Sequence, residues 1–410
     1  MSKHGFRFEM NASGTEQQCD DWDDFSDSEL LDVLSETQSF AKEFLFILQE
    51  SQRAPDSQVN AERSESPSVS STSMQNCTEA ASGRETVQSD EVRGLKRKSL
   101  HKDSFSPMQR FLKRHLSVTL LCDQSWCEMK TVYSLLKPHV KRNDMQRAEV
   151  QMGKDFHLSR ELEIQNVVPV YIWTREEAEA IKLLNMLQMT RLLEAGECVR
   201  EFPVFGVLEG VFVMGVIDEL RYNQKGELVL NELKTRKHNS MPSSAQDKVN
   251  CFQADLYKLL FDGLVRGEVK KEHILDHLKL RSHQVLGAGV QAHAKNIGVH
   301  VATFEDVLDA FLVTMSCSDL PCIDLLQLEY YHQGSRGPIG TRVTPFDEAQ
   351  LREDLKGYLA YWRGEREPKG VDIEEAWKCR SCLYKQTCGW TKSRSQMADQ
   401  NVAGVSRNFN

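Results

Sequence analysis

Near its C-terminus the chain carries Cys379-Arg-Ser-Cys382-Leu-Tyr-Lys-Gln-Thr-Cys388, three cysteines within ten residues and no other cysteine or histidine close by. Thiols spaced C-x2-C-x5-C bind metal as thiolates, and a tetrahedral zinc or a 4Fe–4S cluster needs a fourth ligand. That ligand must come from far away in sequence, so the fold has to bring a distant segment to the C-terminal end. Cys127, in Ser125-Trp126-Cys127-Glu128, is the best candidate, and Cys122 is its rival. Zinc ribbons usually draw their ligands locally in pairs, so three-plus-one across about 250 residues favours a 4Fe–4S cluster over zinc. Closing a loop of that length removes roughly 5 kcal/mol of chain entropy from the unfolded state. Loss of the cluster is therefore expected to unfold the domain locally. Cys19, Cys77, Cys122, Cys198, Cys251, Cys317 and Cys322 read as buried or free thiols.

The net charge of −9 looks wrong for a nucleic-acid enzyme until it is divided. Residues 1–91 hold 6 Lys+Arg against 19 Asp+Glu, which leaves 45 against 41 in the rest, a mildly basic body that permits phosphate binding. No apolar run approaches 18 residues, so no membrane span is expected. The start lacks a secretory signal, and its acidic cluster argues against a mitochondrial transit peptide. Eleven cysteines in such an intracellular chain point to metal rather than disulfides.

Residues 1–104 are expected to be mostly disordered and acidic. Within them a helical pattern runs from Ser28 to Glu50, and residues 51–104 are rich in Ser, Gln, Glu and Asn. Arg93, Lys96, Arg97 and Lys98 form a basic run that suits nuclear import. The folded domain is expected over 105–393, with a flexible tail over 394–410. Helical patterns cover Ser125–Leu136, Asp144–Glu163, Arg175–Ala195, Cys251–Val265 and Asp347–Arg363. Strand patterns cover Val207–Leu220, Glu227–Lys234 and Ile323–His332, the first two joined by the turn Asn223-Gln224-Lys225-Gly226. Strands flanked by helices give an α/β domain.

On that hairpin, Asp218 lies on the first strand and Glu232 and Lys234 on the second. Side chains alternate along a strand, so Glu232 and Lys234 share a face while Leu233 points into the core. Two carboxylates on one face make a hard oxygen site suited to Mg²⁺ or Mn²⁺. Such an ion lowers the pKa of water and stabilises charge on a phosphate, with Lys234 orienting or deprotonating that water. Upstream, Gly153-Lys-Asp-Phe-His157 precedes Glu161, one helical turn beyond His157, whose imidazole would complete the metal shell. Downstream, Gln253 and Tyr257 stand four apart on a helical face, placed to bond DNA or position a catalytic group.

The order Gly-x-x-x-His, Asp, thirteen residues, Glu-Leu-Lys, then Gln-x-x-x-Tyr resembles the PD-(D/E)XK superfamily in its RecB-type branch. Carried over residue by residue, the resemblance makes His157, Asp218 and Glu232 metal ligands with the Leu233 carbonyl, Lys234 the catalytic lysine, and Gln253 and Tyr257 the later motif. The opening proline is absent, since Ile217 precedes Asp218. One early cysteine with a late C-x2-C-x5-C resembles the iron-staple nucleases, and the lack of a Walker loop narrows this to the exonuclease V family. That family implies a restriction-endonuclease-like core with a mixed sheet, closed by a 4Fe–4S cluster on Cys127, Cys379, Cys382 and Cys388. It also implies a Mg²⁺-dependent exonuclease on single-stranded DNA that releases short oligonucleotides in genome maintenance; separately, a monomer is expected, with a single-strand-binding protein as a candidate partner.

Arg236 and Lys237 follow the catalytic strand and are expected to hold phosphates. Lys248, Lys258 and the basic stretch Arg266–His283 would extend the track, and a tunnel near Trp126 and Tyr133 would thread single strands. Two competing readings are a flap endonuclease with the same site and a DNA-binding scaffold with a vestigial one.

Overall fold

In the computed structural model the described residues are 105–393, apart from 165, 166 and 169, together with the two-residue strand Phe46–Ile47. Apart from that strand, the helix expected over 28–50, the segment 51–104 with its basic run and the tail 394–410 lie outside the described residues. In chain order the elements are β1 (Phe46–Ile47), α1 (Pro107–Arg110), β2 (Leu116–Ser117), α2 (Val118–Trp126), α3 (Glu128–Leu136), α4 (Pro138–Met145), α5 (Ala148–Glu161) and β3 (Val167–Val168). There follow α6 (Arg175–Glu194), β4 (Val199–Leu208), β5 (Val211–Tyr222), β6 (Leu228–Arg236), α7 (Ser244–Val265), α8 (Lys271–Leu278), α9 (Ala288–Asn296) and α10 (Phe304–Cys317). Then come β7 (Leu325–His332), β8 (Pro338–Thr344), α11 (Glu348–Trp362) and a 3-10 turn at Ile373–Cys379.

A six-stranded mixed sheet organises the domain. β4 pairs antiparallel along one edge of β5, from Val199↔Leu220 to Leu208↔Val211. The other edge of β5 is shared: β2 runs parallel to its start at Leu116↔Val213, and β6 runs antiparallel to its end, from Tyr222↔Leu228 to Glu219↔Asn231. β6 then continues along β7 in parallel, and β8 closes that side antiparallel. A parallel β6–β7 pair requires a long crossover, which the helices α7 to α10 supply. The core lies between sheet and helices, with Phe202, Phe212, Phe261, Phe311, Tyr330 and Trp362 fully buried. The α/β architecture with helices around a mixed sheet is the one expected.

The local signals are conventional where they are strong. Thr174 and Glu177 form a capping box that starts α6, and Gly196, at φ 81°, ends the turn after it. Four expected boundaries are corrected. The strand read over Val207–Leu220 is two strands, β4 and β5, turned by Glu209 and Gly210 at φ 48° and 76°, as a two-residue type I′ hairpin requires. The helix over Ser125–Leu136 is broken at Cys127, whose backbone is extended (φ −171°, ψ 111°) and links α2 to α3. The helix over Asp144–Glu163 is two helices with Arg147 extended between them, at a point with no glycine or proline to mark it. The stretch Arg266–His283 is helical only over Lys271–Leu278.

A forked sheet edge as the candidate active site

β5 and β6 pair only between Glu219–Tyr222 and Leu228–Asn231. Asp218 is the next residue on β5 and Glu232 the next on β6, so both stand where the two strands part. Parting frees the backbone N–H of Leu233, which donates to Asp218 Oδ2 at 2.7 Å. Lys234 Nζ donates to Glu232 Oε1 at 2.7 Å and to Gln253 Oε1 at 2.7 Å, and Gln253 Nε2 donates to the Tyr257 hydroxyl at 2.9 Å. Gln253 and Tyr257 thus stand behind Lys234 and fix it. Tyr257 is 4% exposed, and burial keeps its phenol protonated well above the ordinary range. It positions rather than titrates.

Two glycines make these approaches feasible. A Cβ on Gly215 would lie 2.5 Å from Tyr257 Cε1, so only glycine lets the ring seat against β5. A Cβ on Gly153 would lie 3.1 Å from Thr235 Oγ1, and its absence lets α5 lie close over β6. From α5, His157 Nδ1 comes within 3.5 Å of Asp218 Oδ1.

Electrostatically the site is strained as it stands. Burial, then the neighbouring Asp218 carboxylate, pushes Glu232 up to about 7, although Lys234 pulls the other way. Burial alone would raise Asp218 as well, but His157, Lys234 and the Leu233 N–H hold it below the usual carboxylate range. Burial works against charge on His157, yet Asp218 and Glu232 raise it above the ordinary imidazole value. Glu232 is 1% exposed and its Oε2 has no hydrogen-bond partner. A buried, orphaned carboxylate oxygen beside a second carboxylate is the donor set a hard divalent cation fits. Among the described residues, the donors that gather within 4.8 Å of one another are those of His157, Glu201 and Asp218. Glu201 was not a candidate from sequence, because its strand β4 was itself not recognised.

The other expected contacts divide. Arg236 donates to the Ser240 carbonyl at 2.7 Å, and Lys237, exposed, pairs with Glu149 of α5 at 2.9 Å. Both lie along the strand beyond Lys234, where a phosphate would compete with those partners. Lys258 is committed instead to Asp262 at 2.7 Å and to the Ile323 carbonyl, so it does not extend a phosphate track. Nor do Trp126 and Tyr133 line a tunnel. Tyr133 stacks on Tyr384 and its hydroxyl accepts from the Gly389 N–H, while Trp126 packs edge-on against Trp377 under the Lys378 ammonium.

Those aromatic pairs join the two ends of the domain around the cysteines. One pocket is lined by Cys127, Cys379, Cys382 and Cys388 together. Burial and then the three other thiols raise the Cys127 thiol, against the backbone N–H of Lys130. Cys122 does not join them: it is 6% exposed in the hydrophobic core, where Lys234 and Glu232 are its charged neighbours. Four thiolates on one zinc would stand about 3.8 Å apart, given Zn–S near 2.3 Å. Among the described residues no three of the thiols gather within 4.8 Å of one another. A second clasp needs no metal. Glu128, next to Cys127 and 6% exposed, accepts from Gln124 Nε2 at 3.0 Å, from the Lys369 N–H at 2.7 Å and from both terminal nitrogens of Arg366.

Comparison with known proteins gives the family. The chain matches the family described as "Exonuclease V - a 5' deoxyribonuclease" over residues 106–229, 223–310 and 305–391. Exonuclease V of Danio rerio is 68% identical over 394 residues, covering 96% of this chain and 98% of that protein. The solved structure of SSO0001 aligns with a TM-score of 0.35 at 12% identity, covering 70% of this chain and 93% of that one, and no argument rests on it. A match across nearly the whole folded domain, joined by so similar a full-length relative, leaves one assignment: the chain belongs to the exonuclease V family.

Proposed function

We propose that this protein is a divalent-cation-dependent exonuclease that degrades single-stranded DNA to short oligonucleotides. Its core is read as of PD-(D/E)XK type, stapled by a 4Fe–4S cluster. The observation that carries the reading is the fork itself, where Asp218, Glu232 and Lys234 converge with one buried carboxylate oxygen left unsatisfied.

A Mg²⁺ or Mn²⁺ ion bound there would supply a low-pKa water and neutralise charge on the scissile phosphate. His157, Asp218 and Glu232, with the Leu233 carbonyl, would hold it. Lys234, kept by Gln253 in line with Glu232, is placed to orient the attacking water and to offset negative charge in the transition state. Tyr257 and Gln253 maintain that geometry. Arg236 and Lys237 would grip the backbone of the strand beyond the cut, exchanging their present partners for phosphates.

Cys127, Cys379, Cys382 and Cys388 would bind the cluster, whose contribution is structural. It would bind α3 to the C-terminal segment while touching no DNA. Action on single strands in genome maintenance, beside a single-strand-binding protein, in the nucleus and as a monomer, completes the proposal. No described helix is long and apolar enough to cross a membrane.

The test is digestion of single strands labelled at either end, with and without Mg²⁺, beside a strand blocked at both ends. The expected result is Mg²⁺-dependent shortening of free-ended strands only. Cutting of the blocked strand would replace this reading with a flap endonuclease, and cleavage surviving Asp218→Asn would remove the metal site from it.

A further inference from the structure

Glu201 has a backbone that ordinary strand geometry does not explain. It lies on β4 between Arg200, paired with Glu219, and Phe202, paired with Ile217, and so stands opposite Asp218 across the β4–β5 ladder. Its own backbone is left-handed, with φ 54°, inside a ten-residue strand. Such a backbone is unfavourable for any residue with a Cβ and persists only where the surroundings enforce it. Here they do. Arg200 is fixed by Glu219 and Glu163, and Phe202 is fully buried against Phe261.

Residues directly opposite one another in an antiparallel ladder share a face, so Glu201 is presented beside Asp218. The outcome is that a Glu201 oxygen, a His157 ring nitrogen and an Asp218 oxygen all lie within 4.8 Å of one another. Donors on one octahedral Mg²⁺ or Mn²⁺ stand about 3 Å apart when adjacent and about 4.2 Å apart when opposite, from metal–oxygen distances near 2.1 Å. The three are thus within a small side-chain rotation of a common ion.

We propose that Glu201 is a further acidic ligand of the catalytic cation, presented to it from β4 opposite Asp218. This rests on the reading of Asp218 and Glu232 as a cation site. It adds a residue from a third strand, so the ion would tie β4 as well as β5 and β6. Asp218, between Glu201 on one side and Glu232 on the other, is the ligand common to both.

The experiment measures Mn²⁺ binding to the full chain by the electron paramagnetic resonance of free Mn²⁺, with thermal denaturation in metal-free buffer alongside. Glu201→Gln keeps size and backbone while removing the charge, and it should weaken Mn²⁺ at least tenfold with little change in melting temperature. Glu201→Gly relieves the backbone, so it should melt higher than the parent in metal-free buffer and still lose Mn²⁺ affinity. Glu201→Gln that binds Mn²⁺ within twofold of the parent overturns the proposal, as does a lowered melting temperature with unchanged affinity, the signature of a structural residue. Asp218→Asn separates the two levels. If it loses Mn²⁺ while Glu201→Gln does not, only the role of Glu201 fails. If neither loses it, the cation reading of the whole fork fails.

Discussion

Gly215→Ala tests whether Lys234, the proposed catalytic lysine, is held from behind by packing. The added Cβ would lie 2.5 Å from Tyr257 Cε1 and 2.8 Å from Val118 Cγ2. Ordinary carbon contacts are about 3.5–4.0 Å, so the ring must retreat by roughly 1 Å. Overpacking of this kind costs about 1–3 kcal/mol, or a melting temperature lower by roughly 2–5 °C for a domain of this size. The same displacement passes along the chain from Tyr257 to Gln253 to Lys234. Misplacing a catalytic group by about 1 Å costs on the order of 100-fold in rate. Thermal denaturation followed by circular dichroism reads the first effect, and single-turnover digestion of an end-labelled single strand reads the second. In a Tyr257→Ala background the ring clash is gone and only the Val118 contact remains, so its stability cost should fall by about 1 kcal/mol or more. A Gly215→Ala protein with parental melting and a rate within twofold, or effects that add in the double variant, would refute the account.

Glu128→Ala should lower stability by about 3 kcal/mol, because the Arg366 guanidinium and the Lys369 N–H lose a buried acceptor. The Glu128 carboxyl is held below its ordinary value by Arg366, Lys369 and Gln124 against burial, so the clasp is fully present above that ordinary value and weakens as pH falls through the lowered one. Chemical denaturation at pH 7 and pH 3.5 should show the difference between parent and variant shrinking in acid. Asp255→Asn has the opposite sign. Burial, then Asp347, raises Asp255 to about 7, and its Oδ1 has no partner, so the folded state is penalised once this group ionises. The asparagine variant should gain about 2 kcal/mol at pH 8, after discounting for solvent screening, and nothing near pH 4. Equal gains at both values would exclude ionisation as the cause. Cys127→Ser should abolish bound iron and the broad absorption near 400 nm, while Cys122→Ala keeps both. Iron lost from Cys122→Ala alone would reverse the assignment.

Asp218, Glu232 and Lys234 could be read from sequence because two-residue alternation and a polar turn suffice to bring them to one edge. His157 could be read from its helical spacing after Gly153, though not the reason for the glycine, which is the approach of Thr235. Glu201 could not be read. Its place beside Asp218 depends on the register of β4 against β5, and the tight turn at Glu209-Gly210 that sets this register lies inside one continuous apolar run. Cys127 and Cys122 were inseparable by spacing alone. What separates them is a helix break that exposes one sulfur to the pocket and leaves the other in the core. Trp126, Tyr133 and Lys258 carried chemistry suited to DNA, yet tertiary partners claimed all three.

The fork and the cysteine pocket answer one physical problem from two sides. A hydrolytic site needs carboxylates close enough to repel, which is unfavourable in a buried place unless something holds them before a cation arrives. Here β5 and β6 are zipped only up to Glu219 and Asn231, so the repulsion falls on residues whose backbones are already committed by β4 and β7 on their outer sides. α2 packs on α7, which carries Gln253 and Tyr257, while α3 and the C-terminal segment meet at the thiols. Cys122, one helix turn and a half before Cys127, lies in the field of Lys234 and Glu232. The segment that ends at the four-cysteine pocket therefore begins beside Glu232 and Lys234. Release of a cluster from the four thiols would loosen the support of Lys234 through α2 and α7, and activity would then be lost before the sheet itself unfolds.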